Sequence, residues 1–245
     1  MFMIQPIQNH NNVPKRQIGF KRNLNKTLCK DIWEGETLIP GVAIRLKMLA
    51  DTFESTLAAS NFKRKDLTIV GSMANYNYGK ASDIDLHLVT DFSQYPADRK
   101  FLTDYFNSKR DMFNYTNSFN LFGHPVEVSV EDAGAKTYSK GRYSLTKGVW
   151  LNKPVFDEKF ELPDVTRSQT YVELKKSLDE CLAKNDFKKI TPLFQQIYAL
   201  RQEGLAQGGE FSVGNSIFRQ LRNEGYLKKL IDLSYNALNN LISMK

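Results

Sequence analysis

The stretch at residues 66–90, DLTIVGSMANYNYGKASDIDLHLVT, constrains the fold of this chain more than any other. Its pattern predicts a strand, a turn at Gly71-Ser72, a short helix and a second strand. Asp83 and Asp85 lie on the second strand. Because successive side chains of a strand point to opposite faces, both carboxylates share one face of a sheet, and Ile84 turns into the core.

The residue types in this stretch indicate a particular chemistry. Two carboxylates side by side repel each other, and a divalent cation that prefers oxygen ligands, such as Mg²⁺, removes that repulsion. Gly71 allows close approach of the backbone to a ligand, and Ser72 is expected to open a helix whose free N–H groups attract phosphate. The pattern therefore predicts a site for a nucleoside triphosphate and Mg²⁺.

A downstream segment, HPVEVSVED, offers a third acid. Its valines alternate with polar residues, which predicts a half-buried strand with an acidic face. If this strand pairs with the one that carries Asp83 and Asp85, it lies about 4.8 Å away, and Glu127 becomes a third metal ligand. Glu131 points to the same face and remains the alternative.

The pattern apolar-Gly-Ser, about ten residues, then Asp-apolar-Asp-apolar resembles the signature of the polymerase-β-like nucleotidyltransferase superfamily. The fuller strings around this pattern are GSMANYNYGKASDIDLHLV and, downstream, HPVEVSVED. They are also similar to nucleotidyltransferase-domain proteins of large tailed bacteriophages, and this narrower resemblance runs from about Leu38 to the C-terminus. The resemblance implies an α+β fold with a small mixed sheet, of the polymerase-β-like palm type. It also implies transfer of a nucleoside monophosphate from a triphosphate to a hydroxyl, with release of pyrophosphate.

The resemblance further implies how the site residues act. Asp83, Asp85 and Glu127 would be the catalytic acids and would position two Mg²⁺ ions, or Mn²⁺, about 3.5–4 Å apart. Gly71 and Ser72 would hold the β- and γ-phosphates. The acceptor is left open among an RNA 3′ end (tRNA included), a protein hydroxyl and a small-molecule hydroxyl. The alternative to an enzyme is a nucleotide- or RNA-binding module without catalysis.

Four further residues are weaker candidates. His87 shares the strand face of the aspartates, where it could touch the metal site or the acceptor, or simply pack in the core. Lys80 could reach the triphosphate or stay solvated. Arg219 and Arg222, three positions apart on one helix side, could clamp the triphosphate or an RNA backbone across a cleft, or form a solvated face.

The net charge and the cysteines limit which partners and which cellular compartment fit this chain. A net charge of +7 over 245 residues favours anionic partners such as nucleotides or RNA, although a merely soluble basic protein has the same balance. Cys29 and Cys181 form no metal-ligand spacing and no disulfide framework, which fits a reducing cytoplasm, that of the host cell if the chain is phage-encoded. No secretory signal or membrane span is predicted, and nothing indicates an oligomeric state.

Changes in composition along the chain predict a basic polar N-terminal arm at 1–36, a catalytic domain at 37–165 and a helical subdomain at 166–245. The arm, with little that could form a core, would contact RNA or phosphate or extend into solvent. Residues 137–155 are expected to form a connection whose basic and aromatic residues contact phosphate and a base, or whose aromatics pack inward. Within the helical part, Thr191 is expected to cap a helix that begins at Pro192.

Overall fold

The computed structural model describes residues 22–57, 62–80 and 82–242. Most of the predicted N-terminal arm therefore lies outside the described residues. No helix in these ranges is long and apolar enough to cross a membrane. The helices are α1 (Pro40–Thr56), α2 (Arg99–Thr116), α3 (Gln169–Lys184), α4 (Phe187–Gly208), α5 (Val213–Asn223) and α6 (Tyr226–Ile242). The strands are β1 (Arg22–Asn23), β2 (Trp33–Glu34), β3 (Thr37–Leu38), β4 (Asp66–Val70), β5 (Ile84–Thr90), β6 (Asn120–Leu121), β7 (His124–Asp132), β8 (Arg142–Ser144), β9 (Val149–Asn152) and β10 (Glu161–Leu162).

A six-stranded mixed sheet in the order β6-β7-β5-β4-β8-β9 forms the centre of the molecule. Strands β5 and β7 are parallel, and the other neighbours are antiparallel. The turn from β6 into β7 places both Phe122 and Gly123 at positive φ, which suits a tight hairpin. The sheet and the six helices confirm the predicted α+β class.

Alternation along β5 and β7 separates a core face from a cavity face. Leu86, Leu88 and Val128 are fully buried on the core face. Helices α1 and α2 cover this face, where the rings of Phe53 and Phe113 lie 4.9 Å apart. The polar side chains of both strands consequently point away from these helices, toward the opposite face of the sheet.

The segment between β1 and β3 packs into the same core. Leu28, Ile32 and Trp33 are buried, and the Trp33 indole donates a hydrogen bond of 2.7 Å to the carbonyl of Met73. The prediction that residues 1–36 hold little that could form a core is therefore wrong for this segment. Its few apolar residues are spread among charged ones, and only the tertiary fold collects them on one side.

Residues 137–155 contain a short hairpin, β8 and β9, which the sequence did not predict. Tyr143 is buried, and the Trp150 ring stacks on Trp33 with centroids 4.8 Å apart. These two aromatics therefore pack inward, which is one of the two alternatives predicted for this segment. Glycine and lysine at the turn hid the strand pattern, since both residue types are rare in strands.

The helices α3 to α6 enclose a second apolar cluster that includes Leu178, Ile197, Leu221 and Leu230. Helix α4 begins at Phe187, so the predicted cap at Thr191 is wrong and Pro192 lies inside the helix. Asn185 adopts the left-handed conformation and reverses the chain directly after α3, which starts α4 earlier than the proline indicated. The predicted domain boundaries themselves stay predictions.

Candidate active site

The register of β5 and β7 brings the three acids of the sequence prediction together. Asp85 lies directly opposite Glu127 in the parallel ladder, and Asp83 immediately precedes β5. One carboxylate oxygen from each residue lies within 4.8 Å of the others. Asp83 is buried, Asp85 is partly buried and Glu127 is exposed. This group of acids could hold a metal ion.

The surroundings of the cluster disfavour its negative charge. Burial, together with the neighbouring Asp83 carboxylate, raises the pKa of Asp85 to about 7. Burial and Asp83 likewise raise the pKa of Glu127 above its ordinary value. A cation at the cluster would offset the repulsion among the carboxylates. A donor set made only of carboxylate oxygens fits Mg²⁺ or Mn²⁺.

Gly71 is required at its position by the Asp85 carboxylate. Its φ is +73°, and a Cβ added there would lie 2.0 Å from Asp85 Oδ2. The Gly71 N–H donates a hydrogen bond of 3.0 Å to the hydroxyl of Ser139. The glycine therefore makes room for a site carboxylate, a role that the sequence pattern did not indicate.

The helix that Ser72 was expected to open is a single 3₁₀ turn, Ser72–Ala74. Ser72 is buried, and its Oγ lies 3.0 Å from Oγ of Ser82. One turn aligns too few peptide dipoles for a strong N-terminal field. A helix dipole at Ser72 therefore cannot account for phosphate binding at this turn. The chain leaves the helical conformation at Asn75, whose φ of −151° is extended.

Helices α4 and α5 bring three arginines to the cluster. Arg222 pairs with Asp83 through two hydrogen bonds, Nη1 to Oδ2 at 3.0 Å and Nη2 to Oδ1 at 3.1 Å. Arg219 donates to the carbonyl of Asn77 at 3.2 Å. Arg201 lies over the Phe218 ring with 4.3 Å between the guanidinium carbon and the ring centroid. Burial, and next the charge of Arg222, lower the pKa of Arg201 and of Arg219.

A cavity of about 340 Å³ lies beside the acid cluster and is lined by Asp83, Asp85 and the three arginines, but not by Glu127. Its sheet side includes Gly71, Asp83 and Asp85, and its helical side includes the three arginines. Glu210, which follows α4, also lines the cavity and accepts hydrogen bonds from the Asn75 amide and from the Lys140 N–H. Burial raises the pKa of Glu210 to about 7.

Arg201 and Glu210 were missed by the reasoning from sequence. A signal for Arg201 was available, because it falls at helical spacing within the apolar stripe of Phe194, Tyr198 and Leu205. An arginine on a packed helix face needs a polar partner or a ligand. Glu210 follows two glycines and gave no comparable signal.

The structure places the two remaining weaker candidates at different cavities. Lys80 is exposed at a different cavity, because the Asn25 amide binds the carbonyls of Tyr76 and Tyr78 and draws this loop toward the N-terminal segment. His87 lines the cavity that contains the three arginines, and its Nδ1 lies 2.7 Å from Glu131 Oε2.

Glu131 has partners that separate it from the acid cluster. Besides His87, it accepts a hydrogen bond of 2.7 Å from Arg142. Burial raises the pKa of Glu131, but the hydrogen bonds from His87 and Arg142 outweigh burial and leave the pKa lowered. The geometry therefore groups Glu127, and not Glu131, with the two aspartates.

Comparisons of the chain with protein-family models, with curated proteins and with solved structures each gave no match.

Proposed function

We propose that this protein is a nucleotidyltransferase of the polymerase-β-like type that uses Mg²⁺. It would transfer a nucleoside monophosphate from a triphosphate to a hydroxyl and release pyrophosphate. One observation carries the proposal: two members of a three-carboxylate cluster, Asp83 and Asp85, line the same cavity as three arginines. A triphosphate with its cation needs both kinds of group, oxygen ligands for the metal and cations for the phosphates.

The acids Asp83, Asp85 and Glu127 would hold the cation. When bound, Mg²⁺ lowers the pKa of an attacking hydroxyl and offsets the charge of the leaving group. The raised pKa values of Asp85 and Glu127 fit this role, because carboxylates that repel one another gain most from a shared cation.

The arginines would bind the triphosphate from the helical side. Arg222 now neutralises Asp83, and its planar guanidinium can form the same two hydrogen bonds with phosphate oxygens. Arg201 and Arg219 are partly buried, which lowers their pKa, and a phosphate would compensate their charges in the cavity. Gly71 would act by leaving space for Asp85 rather than by holding phosphate through a helix dipole.

The ion pair between Arg222 and Asp83 favours a second candidate function. A binding module without catalysis would bind nucleotide through the arginines and keep Asp83 paired with Arg222. Such a module binds triphosphate equally well with and without Mg²⁺, whereas the proposed enzyme binds it more tightly with Mg²⁺.

A labelling experiment tests the proposal and identifies the acceptor class. The protein is incubated with each α-labelled nucleoside triphosphate, Mg²⁺ and a bacterial lysate, after which RNA, protein and small molecules are separated. We expect label in one fraction with the wild type and none with the D83N/D85N variant. The matched control, D104N/D111N, removes two exposed aspartates of α2 that do not line the cavity and should label like the wild type. Equal labelling by D83N/D85N and the wild type would refute the site.

A further inference from the structure

A second group of potential metal ligands lies outside the cavity just described. Cys29 and Asp31 belong to the N-terminal segment, and His124 is the first residue of β7. The distance from His124 Nε2 is 3.7 Å to Cys29 Sγ and 3.2 Å to Asp31 Oδ2. Cys29 Sγ and Asp31 Oδ2 lie 3.7 Å apart. Three donor atoms of different types, nitrogen, sulfur and oxygen, thus converge on one point.

The orientation of His124 indicates which ring nitrogen is free to bind. Its Nδ1 lies 2.9 Å from the carbonyl oxygen of Ser82. Because a carbonyl oxygen only accepts, Nδ1 carries the hydrogen, and in the neutral ring Nε2 presents its lone pair to Cys29 and Asp31. A backbone carbonyl on the second ring nitrogen is one of the usual supports of a metal-binding histidine.

The same orientation argues against a nucleophilic triad. In a triad the thiol and the carboxylate contact opposite nitrogens of the imidazole, so that one nitrogen takes the proton and the other is held in place. Here the thiol and the carboxylate both face Nε2, and Nδ1 is taken by the Ser82 carbonyl. Convergence on one nitrogen fits ligands that surround an ion.

The spacing of the three donors agrees with a tetrahedral ion. Zinc bonds of about 2.3 Å to sulfur and about 2.0–2.1 Å to nitrogen and oxygen, at the tetrahedral angle, place the ligand atoms about 3.3–3.6 Å apart. The observed separations of 3.2 and 3.7 Å bracket these values. Shifts of a few tenths of an ångström would therefore complete the site.

We propose that Cys29, Asp31 and His124 bind a transition-metal ion of the Zn²⁺ class. The fourth position would face a cavity of about 380 Å³ that the three residues line together with Asn25 and Tyr78, and a water molecule would fill it. Binding replaces the Cys29 thiol proton, which passes to solvent, by a sulfur–metal bond. The sequence spacing of the cysteines gave no sign of this group, because His124 joins Cys29 and Asp31 only in the folded chain.

The position of the site indicates a structural role. The ion would join the N-terminal segment to β7, the strand that carries Glu127. Through His124 it would also hold the Ser82 carbonyl, next to Asp83. The soft sulfur donor distinguishes this site from the all-oxygen cluster of Asp83, Asp85 and Glu127, so the two sites should prefer different metals.

Cobalt binding to the full-length protein tests the proposal. Co²⁺ is added to reduced, metal-free protein in the presence of excess Mg²⁺, which occupies the carboxylate cluster. We expect one Co²⁺ per chain, with the near-ultraviolet charge-transfer absorption of a cobalt–thiolate bond and the visible bands of a tetrahedral ion. The C29S variant should lose the thiolate absorption, while the C181S control, at a buried cysteine among the helices, should keep it. Absence of the thiolate absorption in the wild type, or its persistence in C29S, would overturn the proposal.

A second variant keeps the test valid if C29S does not fold. The side chain of Asp31 is 56% exposed, so D31N should leave the fold unchanged. We expect D31N to bind Co²⁺ at least about tenfold more weakly, because it loses one ligand. Zn²⁺ should raise the melting temperature of C181S more than that of D31N. Equal Co²⁺ affinity for D31N and the wild type would contradict the ligand set.

Discussion

Asp85 occupies an environment that disfavours its own charge, and this makes stability depend on pH. Its pKa rises from an ordinary 3.8 to about 7 in the folded protein. The folded state therefore binds more protons than the unfolded state between these values, and stability falls as pH rises through this window. We expect D85N, measured with chelator by thermal or urea unfolding, to exceed the wild type by about 1–3 kcal/mol at pH 8.

At pH 4 the two proteins should differ much less, because Asp85 is then largely protonated. The D104N variant removes an exposed aspartate of α2 and should follow the wild type at every pH. A D85N difference that did not change between pH 4 and pH 8 would mean that the Asp85 carboxylate is not held in an unfavourable site.

Glu127 and Glu131 offer a matched pair on one strand face. We expect E127Q to lower nucleotidyl transfer by at least about 100-fold, because it removes a metal ligand. E131Q should retain most of the transfer activity and its Mg²⁺ dependence, but should unfold more easily by about 1–3 kcal/mol, because Arg142 loses its ion pair. Transfer rates and urea midpoints of both variants measure this, and the reverse order of activities would move the third ligand to Glu131.

Gly71 can be tested against another glycine that also has a positive φ. Gly71 and Gly148 have φ values of +73° and +70°, but a Cβ at Gly148 would meet nothing within 4 Å. We expect G148A to cost about 1 kcal/mol of stability, the strain of an alanine at positive φ. G71A should cost more and should also abolish transfer, because the new Cβ collides with Asp85. Equal effects of both variants on transfer would show that Gly71 does not make room for the carboxylate.

At the scale of elements, the amphipathic pattern was the reliable guide. The alternation of valines with polar residues predicted β7 and its acidic face, because one side of that strand is buried against α2. The strands β8 and β9 gave no such pattern, since β9 is largely exposed on both faces and lies at the sheet edge. The start of α4 depends on the left-handed Asn185, which periodicity does not reveal.

Helix α5 connects the helical part of the molecule to the carboxylates through Arg222. We expect R222Q to raise the KM for the triphosphate by about tenfold, because a guanidinium that can hold two oxygens is lost. The matched variant K228Q removes an exposed cation from α6 and should leave KM unchanged. Steady-state kinetics over a range of triphosphate concentrations provides the comparison. An unchanged KM in R222Q would remove Arg222 from the nucleotide site.

At the scale of the whole molecule, the arrangement of the two apolar clusters creates the candidate site. One cluster consists of apolar side chains from the sheet, α1, α2 and the N-terminal segment, and the other fills the space among α3 to α6. The sequence could predict the acids, because they lie on adjacent, strongly patterned strands. It could not predict Arg201 facing Asp85, or Cys29 beside His124 at a separation of 95 residues, because these contacts depend on how the segments dock.

The position of the label in the triphosphate tests the central claim most directly. The purified protein is incubated with Mg²⁺, the acceptor fraction and a triphosphate labelled either at the α- or at the γ-phosphate. We expect the α-label to enter the acceptor and the γ-label to appear in pyrophosphate, with both signals lost in E127Q. Transfer of the γ-label to the acceptor, or release of γ-labelled orthophosphate alone, would contradict nucleotidyl transfer and indicate a kinase or a hydrolase.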